Sequence, residues 1–280
     1  MPESPIRPAG QAGRFYPADA DSLRQEIEAH LQATDLPETG RPPIGFVSPH
    51  AGYPFSGPTA AHTYRQLQAL QPEIVFIFAP SHHAMFSAAA IWEGTAYRTP
   101  LGDYPIDQDY ADRLRQAIPE IHAETYADLE EHSLEVQIPF LQVACPQARL
   151  VPLLVGDQKH ENTQLLVEGV GRVLDETRPE GPTVFVASSD AYHGHSLVEC
   201  RRSDSQLAED LKKMDTTALY EDTRAGRAMA CGYGPLAAVM ELSRRLGAKT
   251  GQILHQTNSC EVMPGRAGSY VVGYLSVMFG

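Results

Sequence analysis

The sequence predicts an α/β fold, a single-domain sandwich of helices around a mostly parallel sheet. Three observations carry that reading. Short apolar runs rich in β-formers recur at 44–47, 74–79, 150–155, 183–187 and 270–278, and such runs mark strands buried on both faces. Between them lie segments in which apolar residues keep helical spacing, at 22–31, 59–67, 108–117, 133–143, 162–174, 205–213 and 235–246. Strand and helix therefore alternate, as they do when crossover helices join parallel strands.

Taken in order, the first strand is Ile44-Gly45-Phe46-Val47 and the second Ile74-Val75-Phe76-Ile77-Phe78-Ala79, with the 59–67 helix as their crossover. Residues 88–102 read as an insertion, a strand-like run at 88–92 followed by the turn-prone Tyr97-Arg98-Thr99-Pro100-Leu101-Gly102. The 150–155 and 183–187 strands flank the 162–174 helix. Pro235 suits the first turn of the 235–246 helix, where a missing backbone N–H costs nothing. No repeat with a period of about 20–50 residues and no Ser/Gly/Pro linker interrupts the chain, so residues 1–280 are expected to form one domain.

Composition narrows the function. Lys and Arg number 22 against 35 Asp and Glu, a net charge of −13. Nucleic acids and anionic membranes are poor partners for such a chain, because affinity for them comes from cationic side chains. Small molecules, peptides or metal cations are the expected ligands. With 42% apolar and 20% charged residues the chain can bury a core, which excludes wholesale disorder. Four cysteines, at 145, 200, 231 and 260, form no CxxC pair and no disulfide framework. Residues 1–20 lack the apolar stretch of a signal peptide, and no apolar run is long enough to span a bilayer. A reduced, cytoplasmic setting is expected.

Histidines cluster just beyond strand ends. The first run continues Ser48-Pro49-His50-Ala51-Gly52-Tyr53, the second Pro80-Ser81-His82-His83, and the fourth Ser188-Ser189-Asp190-Ala191-Tyr192-His193. Carboxyl ends of parallel strands are where α/β sheets bind ligands. The three loops are therefore expected to bring His50, His82 or His83, Asp190 and His193 into one crevice, as a metal site or an acid–base site. His195 reads as loop surface, and His30, His62, His122, His160 and His255 as structural.

Cys231, in Ala230-Cys231-Gly232-Tyr233-Gly234-Pro235, is expected beside a helix N-terminus. There the helix dipole favours a thiolate, which is both nucleophile and soft metal ligand. The other three cysteines read as small buried residues. Glu131-His132-Ser133-Leu134-Glu135 lacks the second histidine of H-E-x-x-H; Glu131 or Ser133 reads as the cap of the following helix, with His132 a minor contributor to the crevice. No P-loop, G-x-G-x-x-G or nucleophile elbow is present.

Together these motifs resemble the MEMO family, whose microbial members are called AmmeMemoRadiSam system protein B. The resemblance rests on Ala12-Gly13-Arg14-Phe15-Tyr16-Pro17, Pro49-His50-Ala51-Gly52-Tyr53 with Ser56-Gly57, Pro80-Ser81-His82-His83, Tyr97 to Gly102, Glu131 to Glu135, Ser188-Ser189-Asp190 with His193, and Cys231-Gly232. It implies a fold similar to class III extradiol dioxygenases and a metal held by His50, His82 and Cys231, with Asp190 and His193 lining the pocket. Two imidazoles and a thiolate suit Fe(II) or Cu best and Zn as well, rather than Mg or Ca. Extradiol enzymes use a carboxylate where this family has the thiolate, so their activity does not follow from the fold. Vertebrate members carry Arg-His where this chain has Tyr233-Gly234, which removes a basic group from beside the thiol.

Two functions are expected from this. One is a redox or oxygen-dependent metalloenzyme in which His193 moves protons and Asp190 orients it. The other is a metal- or peptide-binding protein without turnover, partner to the radical-SAM and AMMECR-type proteins of the family name.

Overall fold

The computed structural model describes residues 5–37, 40–121, 125–266 and 270–280, so His122 lies outside the described residues. In chain order the elements are β1 (Ile6–Arg7), α1 (Ala20–Gln32), β2 (Gly45–Ser48), α2 (Tyr53–Leu70), β3 (Ile74–Pro80), β4 (Ala89–Ala90), β5 (Ala96–Thr99), β6 (Gly102–Pro105), α3 (Gln108–Ala117), α4 (Thr125–Glu130) and α5 (Gln137–Ala144). There follow β7 (Arg149–Val155), α6 (His160–Thr177), β8 (Thr183–Ser188), β9 (His193–Gly194), α7 (Leu197–Lys213), α8 (Thr216–Arg224), α9 (Tyr233–Arg245), β10 (Gly251–Asn258), α10 (Ser259–Val262) and β11 (Val271–Phe279).

The large sheet runs β10-β11-β2-β8-β3-β7-β4, with β9 paired to β11. Only its centre is parallel: β2 with β8, β8 with β3, and β3 with β7. The β10, β11, β4 and β9 pairings are antiparallel, so the sheet is mixed rather than mostly parallel. The reason is that a continuous apolar run reports burial on both faces and carries no sign of direction. The 270–278 run is indeed a strand, but it enters beside β2 from the opposite end. The insertion at 88–102 supplies β4 and the β5–β6 hairpin, and that hairpin joins β1 in a separate three-stranded sheet.

Two groups of helices cover the large sheet. Helix α9 packs on β2, β8 and β3 and is flanked by α6 and α8; α2 packs on β2 and β11 and is flanked by α1 and α5. Gly45 lets α9 close onto β2, since a Cβ there would lie 2.1 Å from Ser243 Oγ. Helix α2 begins six residues before the predicted start because prolines at 54 and 58 obscure it; Pro54 sits in the first turn, where proline is tolerated, and Pro58 inside the helix. Helix α7 starts at Leu197, capped by Ser196 Oγ, which accepts from the Glu199 N–H. One continuous cluster of buried apolar side chains reaches from Tyr16 to Phe279. Among the described residues no helix is long and apolar enough to cross a membrane.

Candidate metal centre

The order β2-β8-β3 places three consecutive parallel strands side by side, so the loops after Ser48, Ser188 and Pro80 open at one edge of the sheet. That juxtaposition collects the crevice. His50 follows β2, His82 follows β3, and Asp190 and His193 follow β8. The turn 230–232 before α9 brings Cys231 across the same edge. Gln158, from the loop after β7, holds that turn by donating to the Cys231 carbonyl (2.8 Å) and accepting from the Gly234 N–H (2.9 Å).

His50 is 1% exposed, and its neighbours decide its tautomer. Ser188 Oγ donates to the Ser133 carbonyl (2.6 Å) and accepts from Gln137 Nε2 (2.8 Å). The serine proton is thereby committed, because a carbonyl cannot donate. His50 Nδ1, 2.9 Å from Ser188 Oγ, must then carry the imidazole proton. Its Nε2 is left as a lone pair, aimed at Cys231 Sγ 3.0 Å away. Burial holds this imidazole well below the usual histidine range, and His132 and His82 push it the same way.

Glu131 performs the same office for two other rings. Its carboxylate, 1% exposed, accepts from His82 Nδ1 (2.9 Å), from the backbone N–H of His82 (2.6 Å), and from those of His132 and Ser133 (2.9 Å each). His132 Nδ1 lies 3.2 Å from the same Oε1. Burial opposes the charge of Glu131, but these donors outweigh it and hold its carboxyl far below the usual carboxylate range. A carboxylate can only accept, so His82 and His132 keep their protons on Nδ1 and turn Nε2 outward. Neither Nε2 has a hydrogen-bond partner among the described residues.

The three rings pack together. His82 and His132 stack with centroids 4.8 Å apart, and His50 meets each edge-on at 5.4 and 5.3 Å. Phe15, from the N-terminal motif, covers the outer face of His132 at 4.6 Å. One ring nitrogen from each of His50, His82 and His132 lies within 4.8 Å of the others, close enough to share an ion.

Cys231 reaches the cluster through His50. Its Sγ accepts from the Asp190 N–H at 3.1 Å. The expected thiolate at the helix N-terminus is corrected here: α9 does begin two residues on, yet burial, followed by the Asp190 carboxylate, pushes the thiol well above its ordinary range. A bound cation would reverse this, because a coordinating thiol gives up its proton. Asp190 Oδ1 accepts from the His50 N–H (2.8 Å), and burial raises its carboxyl to about 7. His193 Nε2 stands 3.9 Å from Asp190 Oδ2, an ion-pair distance rather than a hydrogen bond, and burial lowers its pKa.

Of the residues singled out in the sequence, the structure thus brings together His50, His82, Cys231, Asp190 and His193. His83 sits exposed at the rim, near Glu131 and His132, and His195 is exposed. His132 and Glu131 are the residues the sequence reading undervalued. The signal was an acid directly before a histidine, with Ser133 and Glu135 following; read as a helix cap, it is not one, because α5 starts only at Gln137 with Val136 as an N-cap that makes no side-chain bond, and Glu131 instead holds the turn before it and orients two imidazoles.

The imidazole nitrogens of His50, His82 and His132 fit a borderline transition ion and not Mg or Ca, whereas Cys231 Sγ, 3.0 Å from His50 Nε2, does not join the group of ligand atoms that all lie within 4.8 Å of one another. A family model described as "Memo-like protein" matches residues 7–278. Relatives named MEMO1 family proteins align over nearly the whole length of both chains. That of Methanopyrus kandleri is 36% identical, covering 96% of each chain. Those of Nitrosopumilus maritimus and Sulfolobus acidocaldarius are 33% and 35% identical, each covering 98% of this chain and 99% of the relative.

Proposed function

The chain belongs to the Memo-like protein family, and on the geometry of its crevice we propose that it is a metal-dependent enzyme of redox or oxygen chemistry, its ion held by His50, His82 and Cys231. The observation that carries this reading is the pair of acceptor-fixed tautomers: Ser188 and Glu131 force Nε2 lone pairs into one crevice beside a thiol. Convergent imidazole lone pairs of fixed direction are what a transition ion takes as ligands. Fe(II) or Cu would supply one-electron chemistry there, and Zn Lewis acidity alone.

The remaining side chains have separate tasks. His132, on the same carboxylate as His82, offers a further nitrogen at the open side. His193 is kept neutral by burial and can take a proton at a ring nitrogen from a ligand seated over the crevice. Asp190 accepts the His50 N–H and faces His193, so it fixes the loop that carries the base. Kinship to class III extradiol enzymes is part of this proposal, with Cys231 standing where they use a carboxylate.

Anaerobic purification followed by metal analysis tests the reading. About one Fe, Cu or Zn per chain is expected, with occupancy falling in His50→Ala and in Cys231→Ser while both variants keep a wild-type circular dichroism spectrum. Unchanged stoichiometry in both variants overturns the ligand set. His193→Gln should retain metal and lose the metal-dependent oxygen consumption by about 10²- to 10⁴-fold. Full metal with no turnover above the free ion would move the reading to a metal- or peptide-binding partner of radical-SAM and AMMECR-type proteins.

A further inference from the structure

His193 is a wall shared by two spaces. On one side is the crevice; on the other is a cavity of about 330 Å³ between α7 and the 225–229 turn, lined also by Tyr192, Glu199, Arg202, Ser203 and Arg227. Its size lies at the small end of the range that ligand pockets take. We infer that this cavity receives a carboxylate borne by the molecule handled at the crevice, with Arg202 as its principal contact. The inference rests on the metal-centre reading for its other half.

Arg202 is an exposed arginine on α7 that lines the cavity. Its neighbour Arg201 is paired with Glu261 at 3.0 Å, and Glu199, three residues back, accepts instead from Tyr192 Oη at 3.1 Å. Arg202 has no ion-pair or hydrogen-bond partner among the described residues, in a chain whose net charge is −13. Arg227 is held by Asp222, which accepts from its Nε at 2.6 Å and from Nη2, so the guanidinium is fixed in direction with donors left over. Ser203 packs behind this wall, 7% exposed, its Oγ out of reach of the cavity.

Two guanidiniums match the planar, bidentate geometry of a carboxylate. The Glu199 carboxylate on the same wall selects against a phosphoryl dianion, which it would repel more strongly than a monoanion. A carboxylate in this cavity lies beside His193, which puts the rest of the ligand next to the proposed proton acceptor.

Matched chelators test this with the metal-loaded full chain. Butanehydroxamate and succinic monohydroxamate carry the same metal-binding head and differ in a terminal carboxylate; adipic monohydroxamate lengthens the spacer. At least one carboxylate-bearing probe should bind about tenfold more tightly than the neutral one. Arg202→Ala should erase that preference while leaving the affinity for butanehydroxamate unchanged, and Arg202→Lys should restore part of it. Equal affinities for all three probes, or a preference that survives Arg202→Ala, overturns the cavity's assignment. If no hydroxamate binds, the metal-centre reading is what fails. The cavity is then decided by titrating metal-free protein with succinate and following amide shifts at Arg202 and Ser203. Saturable shifts lost in Arg202→Ala support it, and their absence in the wild type overturns it.

Discussion

Two buried polar clusters meet at the 128–135 segment, and they differ in one respect. The first surrounds Arg7, 1% exposed, whose Nε donates to Asp128 Oδ1 (2.6 Å) and whose Nη1 donates to Glu135. Its Nη2 donates to the carbonyls of Asp128 (2.5 Å) and Glu131 (2.8 Å). Tyr97 and Tyr16 donate to the two carboxylates, and the Gln11 N–H adds another bond to Glu135. Donors and acceptors there close on one another. The second cluster is the crevice, where Ser188 and Glu131 take the Nδ1 side of His50 and His82, His50 Nε2 faces only the Cys231 thiol, and the Nε2 atoms of His82 and His132 are left over. Buried polarity that balances is a joint; directed lone pairs to spare at an opening are a site.

The largest effect expected from this difference is at the joint. Arg7→Met would leave Asp128 and Glu135 buried without their cation, a loss of about 3–5 kcal/mol. Denaturant unfolding at constant m-value measures it. Removing His50 should cost far less, because its Nδ1 faces a serine hydroxyl and no buried opposite charge is orphaned. A stability loss in His50→Ala equal to that in Arg7→Met would break the distinction.

Next comes the residue that links the clusters. Glu131 turns its carboxylate to the imidazoles and its carbonyl to Arg7. Glu131→Gln keeps the shape but removes the obligate acceptor, freeing His82 and His132 to change tautomer. Metal affinity should fall about 10- to 100-fold, as for other carboxylates that orient ligating histidines. Competition against a calibrated chelator reads this, and wild-type affinity would show that the carboxylate acts on the fold alone. Ser188→Ala is the milder version for His50. It orphans the His50 and Gln137 donors and should cost about 1–3 kcal/mol in thermal or chemical unfolding, with a drop in metal affinity smaller than that of Glu131→Gln.

Much of this was legible in the sequence, and what was not has physical causes. The apolar runs and the histidines beyond them located five strands and the crevice edge, because burial on both faces and a polar break at a strand's end are local properties. The direction of β11 was not legible, since its apolar pattern is the same either way. The edge strand β10, Gly251–Asn258, escaped because it is half-buried and polar at most positions. Cys231 could be placed before a helix but not assigned its protonation, which depends on burial and on Asp190 from another loop. Arg7 gave no signal at all: its partners lie 121 and 128 residues away.

The smallest expected effect concerns a third histidine group that resembles the crevice superficially. His62 on α2 and His255 on β10 stack with centroids 4.6 Å apart and planes 4° from parallel. His255 Nδ1 lies 3.0 Å from Thr59 Oγ1. Among the described residues no third ligating group joins the pair, so His62→Phe should leave metal content at the wild-type value. What the pair should show is linkage. Burial, then His255, lowers the His62 pKa to about 4, whereas the unfolded chain takes up that proton near 6.5. Folding therefore favours the neutral ring: the stabilisation is complete above about pH 6.5 and is lost as pH falls toward 4. His62 is half-exposed, so screening reduces the effect to about 1 kcal/mol. The difference between wild-type and His62→Phe unfolding free energies, followed from pH 7 to pH 4, should grow in favour of the variant as pH falls. A flat difference would show that the stacked rings titrate as free histidines do. A variant that instead loses metal would place this pair with the crevice and undo the separation between histidines that merely pack and histidines held with a lone pair to give.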